Sequence, residues 1–207
     1  MKEQLQWAIP LVEVVVNTTT SPSPSLAEGL GVMAPNAERV RELFDHDPVT
    51  GVLRWRIRTS HRIEVGDIAG HTTSRRGDGQ VGIDGGLYQL HCVIWCHVTG
   101  EWPVLEIDHI DQNPSNNKME NLRLATRGQN QQNIRQPQSN NRTGVRGVFW
   151  NNRRSMFEAR VSVVRVMVHR TFHHTLGDAA HAVRVARVKH HPFAPDAMLA
   201  KTMEALL

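Results

Sequence analysis

Residues 106–133, EIDHIDQNPSNNKMENLRLATRGQNQQN, constrain the fold more than any other part of this 207-residue chain. The pattern predicts a strand, a polar loop rich in asparagine, and a short helix that begins near Asn121 or shortly after it. The pair Asp108-His109 lies near the strand's end, Asn121 follows the histidine by twelve residues, and Asn130 comes nine residues later. Adjacent side chains of a strand point to opposite sides, so both can approach one substrate only if the strand ends there. The helix is then expected to bring Asn130 back towards Asp108.

These residue types suit hydrolysis of a phosphodiester bond. The reaction needs an activated water and neutralisation of charge on the phosphoryl oxygens. A neutral imidazole can take the proton of that water at physiological pH. A carboxylate and an amide oxygen can hold one hard divalent cation, and an all-oxygen pair favours Mg²⁺ or Mn²⁺ over zinc or nickel. Taken singly, an Asp-His pair carries no function, and asparagines such as Asn116 and Asn117 usually only form turns.

The same stretch resembles the HNH nucleases, in particular the phage-type homing endonucleases. The resemblance covers LHCVIW, TGEWP, IDHIDQNPSNNKMENLRLAT and QNQQN, which is most of residues 42–135. It implies a ββα-metal (His-Me finger) unit. Two features depart from the family pattern: the motif's third letter is Asn rather than His, and His91-Cys92 stands where the family commonly has His-Arg.

Site residues follow from this resemblance position by position. It implies that Asp108 and Asn130 are the ligands of one Mg²⁺ or Mn²⁺ ion and that His109 is the general base. It implies that Asn121 pins the loop so that the histidine is aimed. It also implies that Arg127 is offered to the scissile phosphate.

The segment before this motif predicts a short helix and a basic strand. In AERVRELF, Val40 and Leu43 fall on one helical face. After a turn at residues 47–51, apolar residues alternate with Arg54, Arg56 and Arg58. The alternation places three guanidinium groups on one face of a strand, which is either a solvated face or a face that contacts phosphates. The sequence leaves both interpretations open.

The segment HCVIWCHVTGEWP predicts a helix that ends at Gly100, with Val93, Ile94 and Val98 on its buried face. With two cysteines, the chain has neither a disulfide framework nor a four-cysteine zinc site. We expect both cysteines to pack as small apolar residues. The alternative is a zinc site made by two pairs of metal-binding side chains of this helix, His91 with Cys92 and Cys96 with His97.

Beyond residue 141 the pattern predicts three strands and one helix. Thr175 and Asp178 have the spacing of a helix N-cap, and Ala179, Val183 and Ala186 line one helical face. This segment is similar to the ethylene-response-factor (APETALA) DNA-binding domain. The similarity lies in the motif RGV, the tryptophan that follows it, the strand FEARV and the helix start T-x-x-x-AA. That resemblance implies a sheet in the DNA major groove. Its candidate DNA contacts are Arg142, Arg146, Trp150, Arg153, Arg154 and Arg160, and Arg165 and Arg170 could lie on the same sheet. The basic strand adds Arg54 and Arg56 as candidate contacts on their own ground. For the tryptophan, core packing is the alternative.

We therefore expect an α+β protein in which a ββα-metal nuclease unit precedes a small three-stranded antiparallel sheet with one packed helix. The predicted parts are a flexible N-terminal extension (1–37), the HNH nuclease domain (38–135), a linker (136–141), the ethylene-response-factor-like domain (142–191) and a tail (192–207). Met33 is a possible start of the functional protein, and Met198 and Leu206 are expected in a short amphipathic tail helix. No membrane span or export signal is predicted, so the expected location is the cytoplasm of a phage-infected or prophage-bearing cell.

The function predicted from these features is a metal-dependent DNA endonuclease that nicks one strand, acting as a monomer or weak dimer without a small-molecule cofactor. A net charge of +4 and a pI near 9.6 agree with double-stranded DNA as the partner. One alternative is a DNA-binding regulator that keeps the nuclease scaffold without turnover. Another is RNA processing, which the low aromatic content of 5% disfavours because single-stranded bases stack on aromatic rings.

Overall fold

The computed structural model describes residues 34–72, 77–134 and 136–197. The predictions for the extension up to Met33 and for the tail helix with Met198 and Leu206 lie outside these residues. The helices are α1 (Ala37–Leu43), α2 (Leu90–Thr99), α3 (Arg127–Asn133) and α4 (Leu176–His190). The strands are β1 (Phe44–Asp47), β2 (Val52–Trp55), β3 (His71–Thr72), β4 (Gly79–Ile83), β5 (Gly86–Gln89), β6 (Glu106–His109), β7 (Leu122–Ala125), β8 (Val148–Asn151), β9 (Met156–Val163) and β10 (Val166–His173).

The first hydrophobic core lies between α1, α2 and two small antiparallel sheets, β1-β2 and β3-β4-β5. Val40 and Leu43 of α1 are buried in it, as predicted. Gly100 ends α2 with a left-handed backbone (φ 88°), also as predicted, because glycine reaches this region without strain. Val98 was wrongly predicted to be buried: it is 44% exposed, and Cys96 takes its place in the core.

The basic segment is less regular than its alternation predicted. The strand β2 ends at Trp55, so Arg54 alone of the three arginines belongs to it. The reason is a second strand that the sequence analysis missed: β1 pairs with β2, and the chain leaves the hairpin after the pair Phe44–Trp55.

The central motif forms a hairpin followed by a helix. The strands β6 and β7 are antiparallel, with Asp108 opposite Arg123. The prediction that the helix begins near Asn121 was wrong, since a single 3₁₀ turn (Met119–Asn121) and the strand β7 come first. The helix α3 starts after Thr126, whose hydroxyl accepts from the amide of Gln129 while the Gln129 side chain accepts from the amide of Thr126. This capping box outweighs the helix-forming tendency of the residues before it.

The C-terminal unit has the predicted sheet, in the order β10-β9-β8, with α4 packed on one side. Ala179, Val183 and Ala186 of α4 are buried against this sheet, which confirms the predicted face. The hydroxyl of Thr175 accepts from the amide of Asp178 at 3.1 Å, which confirms the predicted N-cap. Among the described residues, no helix has the length and apolar content to cross a membrane.

Candidate active site

Asp108 is a buried carboxylate at the centre of the site, with 4% of its surface exposed. Its Oδ2 accepts from Arg123 Nε at 2.8 Å and lies 2.7 Å from Arg123 Nη2. Its Oδ1 accepts from Asn133 Nδ2 at 3.0 Å. A buried charge needs such partners, because desolvation without them costs several kcal/mol.

The helix residue beside Asp108 is Asn133 rather than the predicted Asn130. Asn130 Nδ2 instead donates to Glu106 Oε2 at 3.1 Å. Residues two apart on a strand share a face, as do residues three apart on a helix. The hydrogen-bonded pairs Glu106–Asn130 and Asp108–Asn133 therefore lie side by side between β6 and α3. Because α3 starts only at Arg127, its first turn lies beside Glu106 and its second beside Asp108. The Asn-x-x-Asn spacing was the signal in the sequence that both asparagines face the strand.

His109 is held by a residue that the sequence analysis had treated as a turn former. Its Nε2 lies 3.0 Å from Oδ1 of Asn117, which is 5% exposed. An amide oxygen only accepts, so Nε2 carries the hydrogen and Nδ1 is the basic nitrogen of the neutral ring. In a loop with several asparagines, nothing in the sequence distinguishes Asn117 from its neighbours.

The loop between β6 and β7 is braced by Asn121. Its Oδ1 accepts from the Asp111 amide at 3.0 Å, and its Nδ2 donates to Asp111 Oδ1 at 3.0 Å and to the Asn116 carbonyl at 2.7 Å. Burial by itself raises the pKa of Asp111, but hydrogen bonds from Asn116, the Asn113 amide and Asn121 outweigh it, and the pKa is lowered. Asn121 thus contacts the loop and not the His109 ring.

His91 of α2 packs against the His109 ring. The two rings meet edge to face, with centroids 5.3 Å apart. Burial, followed by the proximity of His109, lowers the pKa of His91 to about 4, so this ring is neutral at physiological pH. The neighbouring Cys92 packs against the first core, and burial raises the pKa of its thiol to about 12. These two residues act as packing groups, which agrees with the expectation for the cysteines.

The side chains of Asp108 and Asn133 offer oxygen atoms, the ligand type that a hard divalent cation prefers. Asp108 supplies an anionic oxygen with little access to water, and Oδ1 of this carboxylate faces the Asn133 amide. Rotation of that amide by half a turn presents its oxygen instead of its nitrogen, and such oxygens suit Mg²⁺ or Mn²⁺. Throughout the described ranges, no three His, Cys, Asp or Glu side chains are grouped as metal ligands. Any cation here therefore depends on amide ligands as well as on Asp108.

The predicted phosphate and DNA contacts in the first unit lie on its surface. Arg127 is the exposed first residue of α3. Arg54 donates to the Gly66 carbonyl at 2.9 Å, and Arg56 donates to the Arg41 carbonyl at 3.1 Å and lies 3.5 Å from Asp45. Arg54 therefore ties β2 to the loop that follows it, and Arg56 ties the end of the hairpin to α1, each with part of its hydrogen-bonding capacity.

Two of the predicted DNA contacts in the C-terminal unit do not lie on the free face of its sheet. The Arg146 guanidinium donates to carbonyls at the end of α3, including that of Gln131 at 2.7 Å. Trp150 packs edge to face on Phe157 at 4.9 Å, on the side of the sheet that carries α4. Strand alternation places Trp150 on the same side as the buried Val148, whereas Arg146 precedes β8 and lies outside the sheet. Arg142 and Arg153 are exposed in the loops that flank β8.

The sheet surface opposite α4, called the open face below, carries arginines on aromatic rings. It is formed by Phe149, Arg154, Glu158, Arg160, Arg170 and Phe172. The Arg154 guanidinium lies 4.3 Å from the centre of the Phe172 ring, and that of Arg160 lies 5.2 Å from the Phe149 ring. The two phenylalanines were not among the predicted contacts, because they lie on β8 and β10 and meet Glu158 of β9 only through the strand register.

Glu158 organises this face from beneath. It is 1% exposed and forms ion pairs with Arg160 at 2.6 Å and with Arg170 at 2.5 Å. Hydrogen bonding from Arg160, against the opposing effect of burial and with help from Asn151 and Arg170, lowers the pKa of Glu158 to about 2. The carboxylate therefore stays charged and fixes both arginines at the surface.

Comparison with known proteins identifies the central motif. Residues 88–132 match the HNH endonuclease family. The chain is also similar to Protein 3.8 of Escherichia phage T7, with 38% identity over 73 residues, which is 35% of this chain and 60% of that protein. No solved structure matches the chain significantly. The family match supports a nuclease that acts on DNA, and it covers α2, the β6-β7 hairpin and nearly all of α3.

Proposed function

We propose that this protein is a metal-dependent DNA endonuclease that hydrolyses one phosphodiester bond per binding event. The observation that carries the proposal is the grouping of three side chains where the β6-β7 hairpin meets α3. Asp108 is buried beside Asn133, and the adjacent His109 is held through Nε2 by Asn117. A carboxylate, an amide and an oriented imidazole are the groups that phosphodiester hydrolysis needs.

In this proposal His109 is the general base. Asn117 fixes the tautomer, so Nδ1 can take a proton from the attacking water. Asp108 and Asn133 would hold Mg²⁺ or Mn²⁺, which when bound neutralises charge on the phosphate and stabilises the leaving oxygen. Arg127, exposed at the start of α3, would bind the scissile phosphate through charge-assisted hydrogen bonds from its guanidinium group. Asn121 keeps the loop of Asn117 in place.

We further propose that the C-terminal unit holds DNA through its open face. Arg160 is already held by the buried Glu158 carboxylate, so its side chain loses little conformational entropy when it binds DNA. The rings of Phe149 and Phe172 contact the guanidinium groups of Arg160 and Arg154 and restrict their orientation. Contacts to phosphates release counterions, so affinity should fall steeply as salt rises. Positioning by this face and cutting by the hairpin would be separate tasks of one monomer, and a single site then produces nicks.

A second candidate is a DNA-binding regulator without turnover. The feature that favours it is the ion pair between Asp108 and Arg123, which satisfies the buried carboxylate without any cation. Both functions predict DNA binding, and only the first predicts metal-dependent cleavage.

Supercoiled plasmid incubated with the protein and Mg²⁺ distinguishes the two functions. We expect open-circular product that disappears with chelator and with His109→Ala, while His181→Ala, a change at an exposed position of α4, cuts like the wild type. Plasmid that stays supercoiled at every Mg²⁺ and Mn²⁺ concentration, with gel-shift binding retained, would instead identify the regulator.

A further inference from the structure

The last turn of α3 has no helical continuation to satisfy its carbonyl groups. The helix has seven residues, ends at Asn133 and continues as extended chain at Ile134. The last carbonyls of any helix lack partners within the helix and carry partial negative charge. A helix this short is also marginally stable by itself, so its order depends on contacts with the rest of the chain.

Two arginines of the C-terminal unit supply those partners. Arg146 Nη2 donates to the Gln131 carbonyl at 2.7 Å, and its Nη1 donates to the carbonyl of Ile134 and, at 3.4 Å, to that of Gln132. Arg187 of α4 donates to the same Gln132 carbonyl at 3.2 Å. Arg146 is partly buried and the Arg187 side chain is 11% exposed, and burial lowers the pKa of both guanidinium groups. Arg146 thus donates to three carbonyls at the end of α3, and Arg187 binds one of them while its Nη1 lies 3.6 Å from Asp196 Oδ2.

The residue that these contacts surround is Asn133. Its side chain donates to Asp108 and, at 2.7 Å, to the His109 carbonyl, and its own carbonyl accepts from Gln112 at 2.5 Å. Asn133 is 3% exposed. The proposed metal ligand therefore lies in the one turn of α3 whose backbone is held from the other unit.

A second contact reaches the other proposed ligand. The ring of Phe193, which follows α4, lies 4.2 Å from the Arg123 guanidinium, and the Phe193 carbonyl accepts from Arg123 at 3.0 Å. Arg123 is the ion-pair partner of Asp108. Asn133 is therefore supported through Arg146 and Arg187, and Asp108 is supported through Arg123 and Phe193.

We propose that Arg146 and Arg187 are positioning residues of the nuclease site: by holding the last turn of α3 they keep Asn133 against Asp108, so the site is complete only when the C-terminal unit is docked on α3. This inference rests on the proposed function for its significance. The DNA-positioning unit is then also a structural part of the site, and removal of its two arginines damages the metal site without touching the open face.

Hydrogen exchange of the full chain, without metal or DNA, tests the structural half. In Arg146→Ala and Arg187→Ala, amides of residues 127–134 should exchange about tenfold faster or more, because the opening free energy of this helix falls. Arg146→Lys should lie between, since an ammonium cannot reach several carbonyls at once. Arg184→Ala, on the exposed side of the same α4, should exchange like the wild type.

Two exchange results would overturn the inference. One is unchanged protection of residues 127–134 in both alanine variants. The other is loss of protection across β8, β9 and β10, which would assign the arginines to the folding of their own unit.

Calorimetric titration with Mn²⁺ tests the link to the metal. Residues outside the ligand set typically change metal affinity by about 10–100-fold when removed, and we expect a loss of that size for Arg146→Ala with DNA affinity retained. If the wild type binds Mn²⁺ and nicks plasmid but the variants bind Mn²⁺ equally well, this inference fails and the proposed function stands. If the wild type neither binds Mn²⁺ nor nicks plasmid, the proposed function fails and the positioning role fails with it.

Discussion

Gly51 lies directly against the backbone of Lys118: a Cβ atom placed on Gly51 would be 2.5 Å from the Lys118 nitrogen and 2.7 Å from the Asn117 carbonyl carbon. The turn between β1 and β2 thereby supports the loop that carries Asn117, the partner of His109. A residue far from the motif in sequence thus fixes the backbone of a site residue.

Gly51→Ala should therefore reduce both stability and nuclease activity. Gly51 has φ +73°, which costs an alanine about 1 kcal/mol, and the contact with Lys118 adds an overpacking cost of about 1–3 kcal/mol. Gly85→Ala is the matched control, because Gly85 has φ +85° and open space around it. Urea unfolding and plasmid nicking should be affected more strongly at Gly51. Equal losses of stability and nicking activity in the two variants would show that the contact between Gly51 and the loop has no effect on either.

Asn117→Ala should lower kcat by about tenfold or more while KM and Mn²⁺ affinity change little, because it removes the acceptor that orients His109. Steady-state cleavage of a labelled duplex measures this separation. Asn113→Ala, in the exposed part of the same loop, serves as the control. A parallel loss of metal affinity in Asn117→Ala would mean that the variant disrupts the whole loop.

The free energy of unfolding should decrease as the pH falls from about 6.5 towards about 4. Burial lowers the pKa of His91 to about 4, so in this window the unfolded chain binds a proton that the folded chain does not. The effect of this residue reaches up to about 3 kcal/mol. His91→Gln should flatten the profile in urea unfolding at several pH values. An unchanged slope in His91→Gln would assign the pH dependence to other buried histidines.

Arg123→Ala should destabilise the metal-free protein by about 3 kcal/mol or more, because Asp108 would remain buried without its ion-pair partner. Added Mg²⁺ should then raise the midpoint of thermal unfolding more in this variant than in the wild type, since the cation replaces the missing charge. Arg58→Ala removes an exposed ion pair with Glu64 and should cost under about 1 kcal/mol. A Mg²⁺ response equal to that of the wild type would argue against a cation at Asp108.

Local patterns predicted α1, α2 and α4, because capping residues and apolar periodicity are properties of neighbouring residues. Strands were harder to predict, because a strand forms only with a partner that local patterns do not identify. No local pattern predicted β1, and the segment that pairs with β6 as β7 was predicted to be helical. The late start of α3 also places Asn133, one helical turn beyond the predicted Asn130, beside Asp108. The docking of Arg146 and the role of Gly51 depend on contacts between distant segments, which no local pattern encodes.

The most direct test of the account is a Mg²⁺ titration of plasmid nicking by the wild type, Asp108→Asn, Asn133→Ala and Asn130→Ala. We expect Mg²⁺-dependent nicking by the wild type and by Asn130→Ala, whose rates should differ by no more than about threefold, since Asn130 pairs with the exposed Glu106. Asp108→Asn and Asn133→Ala should be slower by a factor of about 100 or more. Nicking by Asn133→Ala at the wild-type rate, or no nicking by the wild type at any Mg²⁺ concentration, would contradict the account.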